Sequence, residues 1–178
     1  RASRFVTPPL PGEGLGVPQT QSGGSPVGGE VLSLSASTLE SGPTTILRVN
    51  LGFDTEQNAR GVPNYLGAPV ISPDGTHLLV PSKQDNILRG GFRDGLPLTH
   101  DSSVRAISSR VDLASGLEDV GARLDHDNAS IASATLFSAL GAYAFTTLEG
   151  NRQLAVLDPI THVELGRVDT GRAPHGIA

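Results

Sequence analysis

The sequence predicts an all-β chain of short, repeated antiparallel units, and three observations predict it. The first is composition: 22 Gly and 13 Pro make up 35 of the 178 residues, where average usage would give roughly 12%. An interior Gly or Pro costs a helix about 1–3 kcal/mol, which argues against a helical bundle, and no strict Gly-X-Y period points to a collagen-like rod. The second is texture, with short apolar or alternating runs from Glu30 onward, bounded by turn residues. The third is internal repetition at the length of one four-stranded unit.

Residues 1–29 hold five Pro and seven Gly, with Pro8-Pro9, Pro11-Gly12 and Gly23-Gly24 as punctuation. Such a segment buries too little apolar area to offset its ordering entropy, so it is expected to be a linker or an extended arm. Its glycines follow no strand and open no helix, so they lack the setting of a phosphate loop. Strands are then expected, in order, at 31–35, 45–51, 68–72, 77–80, 104–113, 120–124, 134–138, 142–147, 154–157 and 163–168. Only Asp54 to Arg60 has the composition for a helical turn.

The repeat frame organises these strands. With Gly75 placed on Gly141, an offset of 66, Val70-Ile71-Ser72 falls on Leu136-Phe137-Ser138 and Thr76-His77-Leu78-Leu79 on Ala142-Tyr143-Ala144-Phe145. A third start, Pro174-His175-Gly176-Ile177-Ala178, follows at a spacing of 42, which is the length of a four-stranded propeller blade. The surplus in the first spacing marks an insertion at about 86–109. An Arg-aliphatic-Asn/Asp triplet recurs as Arg48-Val49-Asn50, Arg123-Leu124-Asp125 and Arg167-Val168-Asp169, each expected on the outermost strand. Val111 to Gly116 pairs with Val156 to Thr161 as a strand running into a turn. The expected architecture is a β-propeller fragment of about two and a half four-stranded antiparallel blades over 30–178, ending mid-blade. Rings of this kind need roughly four to eight blades, so the remaining blades, or further chains of the same assembly, are expected as partners.

Ser72-Pro73-Asp74-Gly75-Thr76-His77-Leu78-Leu79-Val80, Leu154-Ala155-Val156-Leu157-Asp158 and Gly171-Arg172-Ala173-Pro174-His175-Gly176-Ile177-Ala178 resemble the blade signature of YVTN-type bacterial β-propellers. The resemblance covers 30–178 and departs at Ala139-Leu140-Gly141, where the Pro-Asp-Gly turn is lost. Pro81 to Asn86, Arg89-Gly90, Arg93-Asp94-Gly95, Leu98-Thr99-His100 and Val104 to Ile107 are similar to a subgroup joined to MauG-like di-haem cytochrome c peroxidase modules. That likeness implies a periplasmic or extracellular place, and c-type haem in a segment outside these residues. The chain itself has no Cys, hence no haem-attachment motif, disulfide or thiolate metal site. It also has no Met and begins at Arg1, as expected of a processed chain or a piece of a longer one. A net charge of −5 with no basic run argues against nucleic acid or an anionic membrane as partner, and no apolar run is long enough to span a bilayer.

The insertion concentrates polar groups. Lys83, Asp85, Arg89, Arg93, Asp94, His100 and Arg105 form a candidate docking rim, where Arg forks would pair with carboxylates or haem propionates. The competing reading is a solvated loop held in shape by its own Arg–Asp pairs. Asp125, Asp127 and Asn128 have oxygens suited to Ca²⁺, although a Ca²⁺ loop usually supplies more ligands, and Asn128 serves equally as a turn residue. His175, in the link between blades, is a candidate channel-lining residue, whereas His77 aligns with Tyr143 and reads as a packing position. No catalytic motif or nucleophile elbow is present. The expected function is a scaffold or docking segment of a larger secreted protein beside a di-haem peroxidase-like domain. The alternatives are an adhesion or polymer-binding propeller without redox role, which seven aromatics and no Trp support weakly, and a ring enzyme such as a lactonase or quinone-dependent dehydrogenase.

Overall fold

The computed structural model of the chain describes residues 28–50, 60–86, 89–92 and 94–178. Nearly all of the expected linker, most of the expected 54–60 turn and Arg93 lie outside the described residues.

Two sheets are complete meanders. Strands β4 (Val70–Ile71), β5 (His77–Asp85), β6 (Val104–Asp112) and β7 (Leu117–His126) follow one another across the first, and β8 (Ala132–Phe137), β9 (Ala144–Leu148), β10 (Gln153–Asp158) and β11 (Val163–Asp169) across the second. Every pairing within them is antiparallel. An N-terminal hairpin, β1 (Glu30–Leu34) and β2 (Ser41–Ile46), supplies a half-blade. A short strand outside the repeat frame, β3 (Val62–Asn64), continues the edge begun by β4 and pairs with the far end of β5. After β11, residues 170–178 form no strand.

The turns show why these residues fold this way. In Ser72 to His77, the Ser72 amide bonds the His77 carbonyl at 2.8 Å and the Gly75 amide bonds the Ser72 carbonyl at 2.9 Å. Gly75 takes φ of +70°, and the Asp74 carboxylate accepts from the Ser72 hydroxyl and the Thr76 amide. The same backbone bonds recur at Ser138 to Tyr143, with Gly141 at +72°. The turn therefore survives loss of Pro and Asp because its left-handed corner keeps Gly. At the next turn the repeat pairing shifts by one residue from the sequence alignment. Asp112 accepts from the Ser115 amide and Asp158 from the Thr161 amide, so Asp112 matches Asp158 and Ala114 matches Ile160.

The sheets stack face to face. Leu79, Ala106, Ala132, Ala144, Leu148, Ala155 and Leu157 meet between the two full blades, and Leu47, Leu78, Val80 and Val111 between the half-blade and the first full blade. The first full blade is thus covered on both sides, which is why β5 is an unbroken buried run from His77 to Ser82 and not an alternating one. The long connection between β5 and β6 is 86–103. The strand expected over 104–113 is observed as β6. Its first six residues, 104–109, also fall in the expected insertion, whose end therefore lies earlier, because β5 and β6 are nine residues each where β9 and β10 are five and six. Arg48-Val49-Asn50 lies past the end of β2, since its backbone bonds to side chains of β7 and to Gly61.

Candidate functional site

In an antiparallel meander alternate connections lie at opposite ends. The 86–103 connection shares one end with the β7–β8 link and the 3₁₀ turn Glu149–Asn151, where Asn151 bonds Asn128 and Ser130. The other end carries the four tight turns of the two full blades.

The connection is braced from within. Asp94 accepts from the Gly90 and Leu96 amides at 3.1 and 3.0 Å and pairs with Arg60 from the strand entry below. Burial alone would raise the Asp94 pKa, but these amide and guanidinium bonds lower it, so it stays a carboxylate. Arg89 Nε donates to the Pro97 carbonyl at 2.8 Å. A single helical turn, α1 (His100–Ser103), begins at Thr99 with a reciprocal capping box to Ser102 and delivers the chain into β6. Below it, Lys83 pairs with Asp85 at 3.0 Å, and Asp85 accepts from Asn64. Phe92 stands at the loop tip, 95% exposed, with Leu96 and Leu98 also exposed.

Arg105 lies below this surface. It is 1% exposed, and its guanidinium reaches Asp125 at 2.7 Å and Asp127 at 3.0 Å. The two carboxylates considered as Ca²⁺ ligands thus already hold a cation of the chain, and Asn128, at φ of +55°, is the turn residue that follows. Among the described residues no group of three or more His, Cys, Asp or Glu is arranged to hold a metal. His175 meets Glu149 at 3.0 Å, and Glu149 also accepts from Ser133 at 3.1 Å. The His175 bond, with that of Ser133, holds the Glu149 pKa down against partial burial. In the repeat frame His175, Ser133 and Gly67 are one position. At Gly67 and Ala68 the chain runs against the next blade's first strand, Ala68 N–H donating to the Ser133 carbonyl at 2.8 Å in a parallel bridge.

Sequence reasoning missed the contacts between blades. Glu118, on β7, accepts from the Arg48 amide at 2.6 Å and from Arg123 at 2.7 Å, while Arg123 also donates to the Arg48 carbonyl. On β11, Glu164 accepts from His126 at 2.7 Å and Arg167 at 2.5 Å, while Arg167 donates to the Asp127 carbonyl. Burial would raise the Glu164 pKa, yet the His126 and Arg167 bonds lower it. Beyond His126 the relay continues to Ser108 at 2.9 Å. Ser108, His126 and Glu164 have the spacing of a nucleophile, base and orienting acid. Ser108 and His126 are both 0% exposed, so no substrate reaches the hydroxyl. The arrangement is a clasp between the blades. The Arg of the recurring Arg-aliphatic-Asn/Asp triplet, at Arg123 and Arg167, was the signal that could have found half of it.

No protein-family model matches the sequence, and no curated protein matches it. Among solved structures, Kuenenia stuttgartiensis hydrazine synthase aligns with a TM-score of 0.50 at 12% identity, over 82% of this chain and 57% of that one. The chain is a segment of a β-propeller. Pseudomonas aeruginosa periplasmic gluconolactonase aligns at 0.49 and 21% identity, over 82% of this chain and 35% of that one. The β-propeller domain of Swd1 from Myceliophteria thermophila aligns at 0.31 and 16% identity, over 84% and 52%. The propeller segment thus spans about a third to just over half of each of these chains.

Proposed function

We propose that this propeller segment is a docking module and that its 86–103 connection is the docking element. The observation that carries this is a long loop braced at Asp94, Arg89 and Thr99 that nevertheless leaves Phe92 almost wholly exposed. Pre-organisation of this kind lowers the entropic cost of association, and a rigid aromatic is a frequent anchor. Lys83 and Asp85 on β5 and His100 in α1 add charge and hydrogen-bonding capacity at the same end of the blades, while Arg105 lies buried below the surface. The partner we propose is a di-haem peroxidase-like domain in the periplasm or outside the cell, on the strength of the insertion's likeness to that subgroup. No helix among the described residues is long and apolar enough to cross a membrane.

A visible spectrum and haem stain of the intact protein test the partner, and Phe92→Asp tests the surface. A c-type spectrum, with association weakened at least tenfold in the variant, supports both. An intact protein without haem removes the peroxidase-like partner, and unchanged association in the variant removes the loop as the docking element.

A further inference from the structure

At the opposite end of the blades lies a cleft of about 190 Å³, bounded by Pro73, Phe137, Leu140, Pro159 and Ile160, with His77 among its lining. Both full blades contribute, so the cleft needs no residue outside those described. Two features are unexplained by folding. Leu140 and Ile160 are 93% and 79% exposed at turn tips, and Leu140 stands where the first blade places Asp74, a turn-stabilising residue. An apolar side chain that abandons local turn chemistry and then stays in water marks a functional position.

The second feature is His77 Nε2, which is buried and has no hydrogen-bond partner. The ring packs edge-on to Phe137 at 5.5 Å. Asp74, whose pKa is lowered to about 2 by the Ser72 and Thr76 bonds, is a carboxylate and accepts a hydrogen bond from the Thr76 hydroxyl at 2.9 Å. Thr76 Oγ1 therefore accepts from His77 Nδ1–H at 3.0 Å, and Nε2 is left as a bare acceptor. A buried unsatisfied acceptor beside a cleft requires a donor from water or a ligand.

The Ser72 hydroxyl proton is already engaged by Asp74, so the side chains of the cleft offer acceptors, which suits an indole N–H, a donor and nothing else, better than a phenol, which also accepts. The volume is below the roughly 300–1,000 Å³ of small-molecule sites, so it takes one ring. The surroundings are acidic. The charged groups acting on His77 and the neighbouring His162 are Asp74, Asp112, Asp119 and Asp158 against the single Arg110, which is engaged by His162 at 2.8 Å. We propose that this cleft seats a tryptophan side chain of a partner protein, flanked there by basic residues. Leu140 and Ile160, unpacked and free to change rotamer on the ps–ns scale, close over the ring as it enters.

The test uses the intact protein and a Gly-Lys-Trp-Lys-Gly peptide carrying 5-fluorotryptophan, followed by ¹⁹F NMR titration. Binding is expected, weakened about tenfold by N1-methylation of the indole, which removes one hydrogen bond, and weakened by Glu in place of both Lys. His77→Phe, which keeps the ring, and Leu140→Asn, which restores a turn residue, are each expected to lose about tenfold as well. Leu140→Asn keeps the test valid if His77→Phe fails to fold. Equal binding by the N1-methyl peptide, by the Glu peptide or by Leu140→Asn overturns the proposal, as does free indole binding as tightly as the peptide.

Discussion

The clasp at Glu118 offers the sharpest test of how the blades hold together. Glu118→Ala removes a fully buried carboxylate side chain and leaves Arg123, itself 8% exposed, without its counter-charge. Breaking a buried pair from one side costs about 3–5 kcal/mol because the surviving charge stays desolvated. Arg123 keeps its bonds to Gln84 and the Arg48 carbonyl, which places the loss at the lower end, about 3 kcal/mol. For a domain of this size that is a fall of roughly 6–12 °C in Tm. The Arg48 amide, donating to Glu118 at 2.6 Å, should lose hydrogen-exchange protection selectively. Glu118→Leu with Arg123→Met replaces the pair by apolar groups of similar size and is expected to recover most of the loss. Urea denaturation and amide exchange of the intact protein measure these effects. A single variant costing under about 1 kcal/mol, within the range of exposed pairs, or a double variant no better than the single, would refute the reasoning.

Three further outcomes are expected. Ser108 should stay unlabelled by a fluorophosphonate probe in the folded protein, since it is 0% exposed, and Ser108→Ala should cost about 1–3 kcal/mol in denaturation through the lost partner of His126. His77 and His162 have pKa values lowered by burial and by Arg110. Their folded-state values lie below the unfolded 6.5, so their contribution to stability is full above that pH and is lost as pH falls through the folded values. Tm should therefore fall between pH 7 and 5, less steeply in His77→Phe. Gly67→Ala puts a Cβ against the Ser133 carbonyl, and it should cost on the order of 1–3 kcal/mol while exposing the Ala68 amide to exchange.

Much of the blade pattern was legible because strand and turn chemistry is local. The 42-residue spacing and the Ser-Pro-Asp-Gly corner located the full blades, and the turn at Ala139-Leu140-Gly141 kept its shape through Gly141 alone. Misplaced bounds have a common cause. β5 and β6 reach nine residues because they are paired along their whole length, so the insertion starts at 86 as expected but ends at 103, and residues 104–109 belong to the strand. β3 carries Pro63 and is only three residues long, and no periodicity reveals a strand of that length.

The polar contacts were illegible for a different reason, which the two clasps expose when compared. Glu118 and Arg123 are five residues apart, Glu164 and Arg167 three, yet both pairs grip the backbone carbonyl of the preceding blade. The difference is absorbed by bulges. On β7 five steps oppose two on β6, whereas on β11 two steps oppose one on β10. The extra backbone of β7 therefore loops outward and returns Arg123 to the position Arg167 reaches directly. A fixed-offset search cannot detect such a pair, since the bulge changes the spacing while conserving the contact. In each case the guanidinium's target is a main-chain carbonyl, which any residue supplies, so the neighbouring blade is free to vary in sequence while the clasp between blades persists.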